Sequence, residues 1–214
     1  MSPDRSRDSL INTFVGNLEW LAHPDREDRA ALARLRRCAG RTIAESREVL
    51  DLFYSLFVPK GRSSAPEVEL PELRPWEEER FFLVATLFPL APTHVERKAP
   101  PCDFGGSMRQ LAETSGVNAD GVDRRMAILL DADAEALPFR LRQAARMLGQ
   151  KGIPINWRRL LAHLLDWDAV NDQGLPAGRV QRRWARSYFN LRDETPGNAS
   201  SEAEPIVEET VNAH

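Results

Sequence analysis

The sequence predicts an all-α protein, a bundle of about nine helices in two packed lobes. Apolar residues recur at helical spacing along most of residues 10–190. Pro and Gly punctuate those stripes where helices should begin and end. No stretch alternates with period two long enough for a strand, except the short Val68 to Leu70. A chain of 214 residues, 42% hydrophobic and with five Trp and nine Phe, can fill the core such a bundle needs.

In the first element Leu10, Phe14, Leu18 and Leu21 form a stripe that stops at His23-Pro24. Pro24 opens the next helix, 30–39, with Ala31, Leu32, Leu35 and Cys38 inward and Gly40 placed to end it. Residues 45–57 carry Val49, Leu52, Phe53 and Leu56, and 76–87 begins behind Pro75 and carries Phe81 and Val84. Four helices follow at 107–114, 119–130, 135–150 and 155–167, and a last one runs from 177 to about 190. Two Pro- and Gly-rich stretches, 58–74 and 89–106, interrupt this pattern. They divide the chain into an N-terminal lobe, 1–90, and a C-terminal lobe with a basic surface, 91–192. Residues 193–214, rich in Glu, Ser, Asn and Pro, read as a disordered acidic tail.

Charge separates along the same lines. Six carboxylates and no Lys or Arg fall in 193–214, so the formal charge of -3 becomes +3 on residues 1–192. Within 107–192 there are 14 basic residues against 9 acidic ones. Arginine supplies 26 of the 29 basic residues, and its planar fork of donors fits phosphate oxygens. Polyanion binding is the expected chemistry.

Other classes find little support. Cys38 and Cys102 stand alone, without the spacing of a disulfide framework or a zinc site, which fits a reducing cytoplasm. The charged residues 1–8 lead into no apolar export segment, and no run suits a membrane span. His23, His94, His163 and His214 are isolated, and no nucleotide-binding, hydrolase or metalloprotease motif is present. No cofactor and no catalytic activity are expected, although carboxylates from distant helices would still suffice for a metal-dependent nuclease. Asp131-Ala132-Asp133 lacks the glycine and glutamate of a calcium loop and reads as a helix end followed by a cap.

On the helix 135–150, Leu137, Leu141, Ala145 and Leu148 make the inward stripe, while Arg142 and Arg146 project together, with Arg140 and Lys151 near the ends. Arg124 and Arg125 begin the turn that carries Met126 and Leu129 inward. Arg109 follows Gly105-Gly106-Ser107, which reads either as a turn and cap or as a phosphate-accepting helix start. An exposed Arg taken singly is by default a solvated or locally paired side chain, as Asp120 with Arg124 or Asp123 with a neighbouring helix would make it. Trp157, Trp167 and Trp184 belong to apolar stripes and read as core rather than as stacking platforms. Arg179, Arg182, Arg183 and Arg186 surround the last helix opposite Val180, Trp184 and Leu191, facing either nucleic acid or a neighbouring subunit.

The second half also carries a family likeness. Phe104-Gly105-Gly106-Ser107-Met108-Arg109-Gln110-Leu111-Ala112, Asp123-Arg124-Arg125, Leu129-Leu130-Asp131-Ala132-Asp133, Leu137-Pro138-Phe139-Arg140-Leu141-Arg142-Gln143-Ala144, Gly152-Ile153-Pro154-Ile155-Asn156-Trp157-Arg158-Arg159-Leu160-Leu161 and Arg182-Arg183-Trp184-Ala185-Arg186-Ser187-Tyr188-Phe189 occur in that order. Together with Ala33-Arg34-Leu35-Arg36-Arg37 and Phe53-Tyr54-Ser55-Leu56-Phe57, the pattern resembles the CasB family over roughly residues 10–190. CasB is the small subunit of the type I-E CRISPR surveillance complex, Cascade. The resemblance implies an all-helical, non-catalytic scaffold present as two copies beside backbone and large subunits. It would stabilise crRNA and target DNA and guide the displaced single strand. Clustering and resemblance together select Arg36, Arg37, Arg109, Arg124, Arg125, Arg142 and Arg146 as nucleic-acid contacts, with Arg140, Lys151 and Arg159 completing the set. A helical protein–protein adaptor is the alternative. Loop 58–74 and the acidic tail have no counterpart in the pattern.

Overall fold

Each apolar stripe becomes a helix because the helix pairs its own backbone groups while packing one face removes the stripe from water. A computed structural model describes residues 3–25, 28–59, 72–93, 102–168 and 178–190, without the side chains of residues 3–5. Among these residues there are nine α-helices and no strand. The acidic tail, most of loop 58–74 with its Val68 to Leu70 stretch, residues 94–101 and Leu191 lie outside the described residues.

Helix α1 (Pro3–Leu21) buries Ile11, Phe14, Val15, Leu18 and Leu21. Asn17 on the same side donates to the carbonyls of Leu56 and Val58 at 2.8 and 2.9 Å, which satisfies a buried amide and ties α1 to the end of α3 (Leu50–Ser55). Helix α2 (Arg29–Arg37) is capped by Asp28, whose carboxylate accepts from the Ala31 N–H at 2.9 Å. The helix expected over 45–57 is shorter. Glu45 instead closes a turn by accepting from the Thr42 N–H at 3.0 Å, and a 3-10 turn over Arg47–Val49 precedes α3.

Helix α4 (Pro75–Leu87) is the central rod: eight consecutive residues, Arg80 to Leu87, are buried, and it packs on α2, on α7 (Leu137–Gln150) and on α8 (Trp157–Leu165). Phe14, Phe53, Phe57 and Phe81 interlock edge-on or tilted at one end of the core. At the other end Trp184 of α9 (Arg179–Phe189) meets Phe104, His163 and Trp167. Helices from both halves of the chain share this core, since α1 and α4 both pack against α8 and the buried residues form one continuous cluster.

The three tryptophans are core, as their stripes indicate. Trp157, Trp167 and Trp184 are 1%, 3% and 0% exposed. Each indole N–H has an acceptor: the Ala91 carbonyl at 3.1 Å, the Ala132 carbonyl at 3.3 Å and His163 Nδ1 at 2.8 Å. Asp131 ends α6 (Ala119–Leu130), and Asp133 accepts from the Ala136 N–H at 2.7 Å just before α7, the end-and-cap arrangement its spacing suggests.

Gly105-Gly106-Ser107 neither precedes its helix nor opens toward a ligand. Helix α5 (Phe104–Ala112) starts ahead of it, capped by Asp103, whose carboxylate accepts from the Gly106 N–H at 3.1 Å and from the Ser187 hydroxyl at 2.9 Å. All three residues are buried. An added methyl at Gly105 would land on the Trp184 carbonyl oxygen, so this glycine lets α5 and α9 lie in backbone contact. The chain's own carboxylate occupies the position a phosphate would take.

Candidate nucleic-acid interface

Helix α7 has two faces of opposite character. Leu137, Leu141, Ala144, Ala145 and Leu148 are buried. Opposite them, Phe139, Gln143, Arg146 and Gln150 follow one another at i, i+4, i+7 and i+11, with Arg142 at their side, and all five are exposed. The helix contains three arginines and no carboxylate. Among the described residues neither Arg142 nor Arg146 has an ion-pair partner. Arg140 is half-buried, its guanidinium 5.4 Å from the centre of the Phe139 ring. Lys151 is exposed at the C-cap, where a cation complements the negative end of the helix dipole.

A second cationic piece adjoins this face. Gly40, in the left-handed region at φ +77°, ends the turn after α2, and a side chain there would press within 3.2 Å of Arg142 Cδ. Only a bare backbone lets the α2 turn lie against the Arg142 stem. Arg36 and Arg37, in the last turn of α2, are exposed and have no ion-pair partner among the described residues, although the Glu48 carboxylate feels the charge of Arg37 and Arg41.

The other candidates are more dispersed. Arg109 sits in the last turn of α5, and its Nε lies 3.9 Å from Glu113. Arg124 and Arg125 are exposed on α6, which packs on α7. The expected Asp120–Arg124 pair does not form; Arg125 donates to the Gly121 carbonyl at 2.8 Å, and Asp123 accepts from Tyr188 of α9. Arg159 is exposed on α8, a helix packed chiefly on α1 and α4. On α9, Arg179, Arg182, Arg183 and Arg186 are all exposed while Val180, Trp184 and Tyr188 are buried.

Several arginines hold the fold instead. Arg158 grips Glu19 of α1 with two bonds of 2.5 and 2.7 Å, and Glu19 is 6% exposed. Arg80 bonds Asp168 at 2.6 Å, Arg34 bonds Asp51 at 2.6 Å and Arg7 bonds Asp166 at 2.9 Å. None of these pairs was visible in the sequence, because the partners are far apart along the chain. The signal that was available is the lone Glu19 within an apolar stripe of α1. His163 is a further buried polar group: burial holds its imidazole down at about 4, the Trp184 indole N–H donates to Nδ1, and Arg183 Nη1 lies 3.3 Å from Nε2.

Residues 31–189 match the family model described as CRISPR-associated protein Cse2. A Cse2 protein of Thermus thermophilus is 33% identical over 113 residues, 53% of this chain and 57% of that protein, so the match spans little more than half of that relative's length. The solved structure of CasB from M. ruber superposes with a TM-score of 0.57 at 26% identity, covering 84% of this chain and 92% of that one. A chain of a CRISPR RNA-guided surveillance complex shares the fold with a TM-score of 0.63 at 21% identity, over 86% and 93% of the two chains. The nine helices of the described residues, an ordered set of motifs and a family model covering most of the sequence converge, and the chain belongs to the Cse2, or CasB, family of CRISPR-associated proteins.

Proposed function

We propose that the chain is a non-catalytic subunit of a type I-E CRISPR surveillance ribonucleoprotein, Cascade. It contributes to assembly, steadies the R-loop and holds the displaced non-target strand through sequence-independent Arg–phosphate contacts. Its partners are the backbone and large subunits, a second copy of itself, crRNA and target DNA, and the basic surface belongs to the lobe formed by residues 91–192. Family membership supports the setting, as does the fold shared with a chain of a surveillance complex. The observation that carries the binding mode is the outer face of α7, where Arg142 and Arg146 point into solvent from a helix without a carboxylate. Such contacts fix position on a strand without reading bases, and guide pairing supplies the sequence specificity.

The test is R-loop lifetime in the assembled particle. Arg142→Ala with Arg146→Ala should shorten it by a similar factor on every target; a loss confined to particular sequences contradicts the mechanism. The adaptor reading draws on a different place, a cleft of about 770 Å³ lined by Arg7, Glu77, Asp166 and Asp168 with Trp76 45% exposed at it. An unchanged R-loop lifetime in the double variant favours that reading.

A further inference from the structure

Phe139 begins the face just described, in the first turn of α7, and is 52% exposed, although the opposite side of the same helix is buried. Its neighbours on that face are not apolar. Arg142 and Arg146 follow it one and two turns along the helix, Gln143 and Gln150 continue its line, and the Arg140 guanidinium lies 5.4 Å from the ring centre. The carboxylates of Asp131, Asp133 and Glu135 precede the helix, and Asp133 is engaged with the Ala136 N–H. A protein partner that buried Phe139 would also have to desolvate these cations and amides. A single-stranded nucleic acid offsets that cost with its own anions. Every base presents a π face to an aromatic ring, and its phosphates match guanidinium groups.

Resting on the nucleic-acid reading above, we infer that Phe139 is a nucleobase-stacking residue. A single strand lies along α7 with one base stacked on Phe139 and successive phosphates held at Arg142 and Arg146, which are one turn, about 6 Å, apart along the axis. A duplex keeps its bases stacked on each other, so this platform favours an unpaired strand. Phosphate contact supplies affinity without base dependence, and the ring adds a contribution that requires a base to be present.

The experiment is an anisotropy titration of the full chain with two oligonucleotides of equal length, one of thymidines and one of abasic residues. A stacked base is worth ~1–3 kcal/mol, so wild type should bind the thymidine strand on the order of tenfold more tightly. Phe139→Leu should lower thymidine binding to the abasic level while leaving abasic binding unchanged, and Phe139→Trp should restore the difference. Arg142→Ala with Arg146→Ala should weaken both strands by the same factor. If wild type binds both strands equally, the phosphate reading stands and the stacking role is overturned. Binding of neither strand removes both. A Phe139→Leu variant that keeps its base preference but loses self-association or assembly into the particle also overturns the proposal, in favour of a protein contact.

Discussion

At the seam where α1 meets α8, Arg158 reaches a nearly buried carboxylate and is fixed by two short bonds. On α7, Arg142 and Arg146 extend into solvent with no described acid in reach. The same guanidinium therefore sits in two different settings, and the local supply of carboxylates decides which. A paired Arg has its field cancelled within a few ångströms, whereas an unpaired one is solvated and ready to exchange its counterion for a phosphate. Composition alone could not separate the two, since Arg158 counts toward the basic excess of residues 107–192 just as Arg142 and Arg146 do.

The contrast predicts that changes on the packed side act through stability and changes on α7 through binding. The largest effect should come from Gly105→Ala, which drives a methyl into the Trp184 backbone. It should cost about 3 kcal/mol or more, or abolish folding, as read by urea denaturation. Arg158→Met comes next. It strands the Glu19 carboxylate and should cost about 2–4 kcal/mol, with much of the loss recovered when Glu19→Leu is added. Recovery distinguishes an ion pair from general packing loss. By contrast, Arg146→Met should stay within about 0.5 kcal/mol of wild type in the same assay. A destabilisation comparable to that of Arg158→Met would erase the distinction between the two sites.

A smaller effect is specific to pH. His163 is held at about 4 in the folded chain against an ordinary value of 6.5. As pH falls below about 6.5 the unfolded chain takes up this proton first, so the stabilisation from a neutral buried ring is complete above that pH and is lost progressively toward about 4. Urea titrations across that window should show the loss in wild type, with the His163 share on the order of 2 kcal/mol. His163→Gln keeps an acceptor for Trp184 and should flatten that part of the profile. An unchanged profile contradicts the buried-neutral assignment.

The helices were legible because each is written as a local stripe; α1, α4 and α7 follow directly from residues three and four apart. The α7 ridge was legible for the same reason. Arg142 and Arg146 are one turn apart on a helix whose other face is apolar, so their joint direction needs no tertiary information. What the sequence could not supply was the neighbour. Glu19 and Arg158 are separated by 139 positions, and Gly105 has its role only because the backbone of α9 passes over it. The shortened α3 has the same cause in miniature, since Glu45 bonds back to Thr42 rather than opening a helix. Arg109 beside Glu113 is the opposite case, an i,i+4 pair that the sequence spacing already contained. Phe139 could have been noticed as the aromatic residue that falls off its helix's apolar stripe.

The central claim is that unpaired arginines on α7 neutralise phosphates, and the salt dependence of single-stranded DNA binding by the full chain measures this most directly. Each phosphate neutralised contributes about 0.7 to the slope of log K against log salt on a single strand. Replacing Arg142 and Arg146 together by Ala should therefore reduce the slope by about 1.4 while leaving the urea midpoint in place. A double variant with the wild-type slope and affinity would show that these side chains do not meet the nucleic acid.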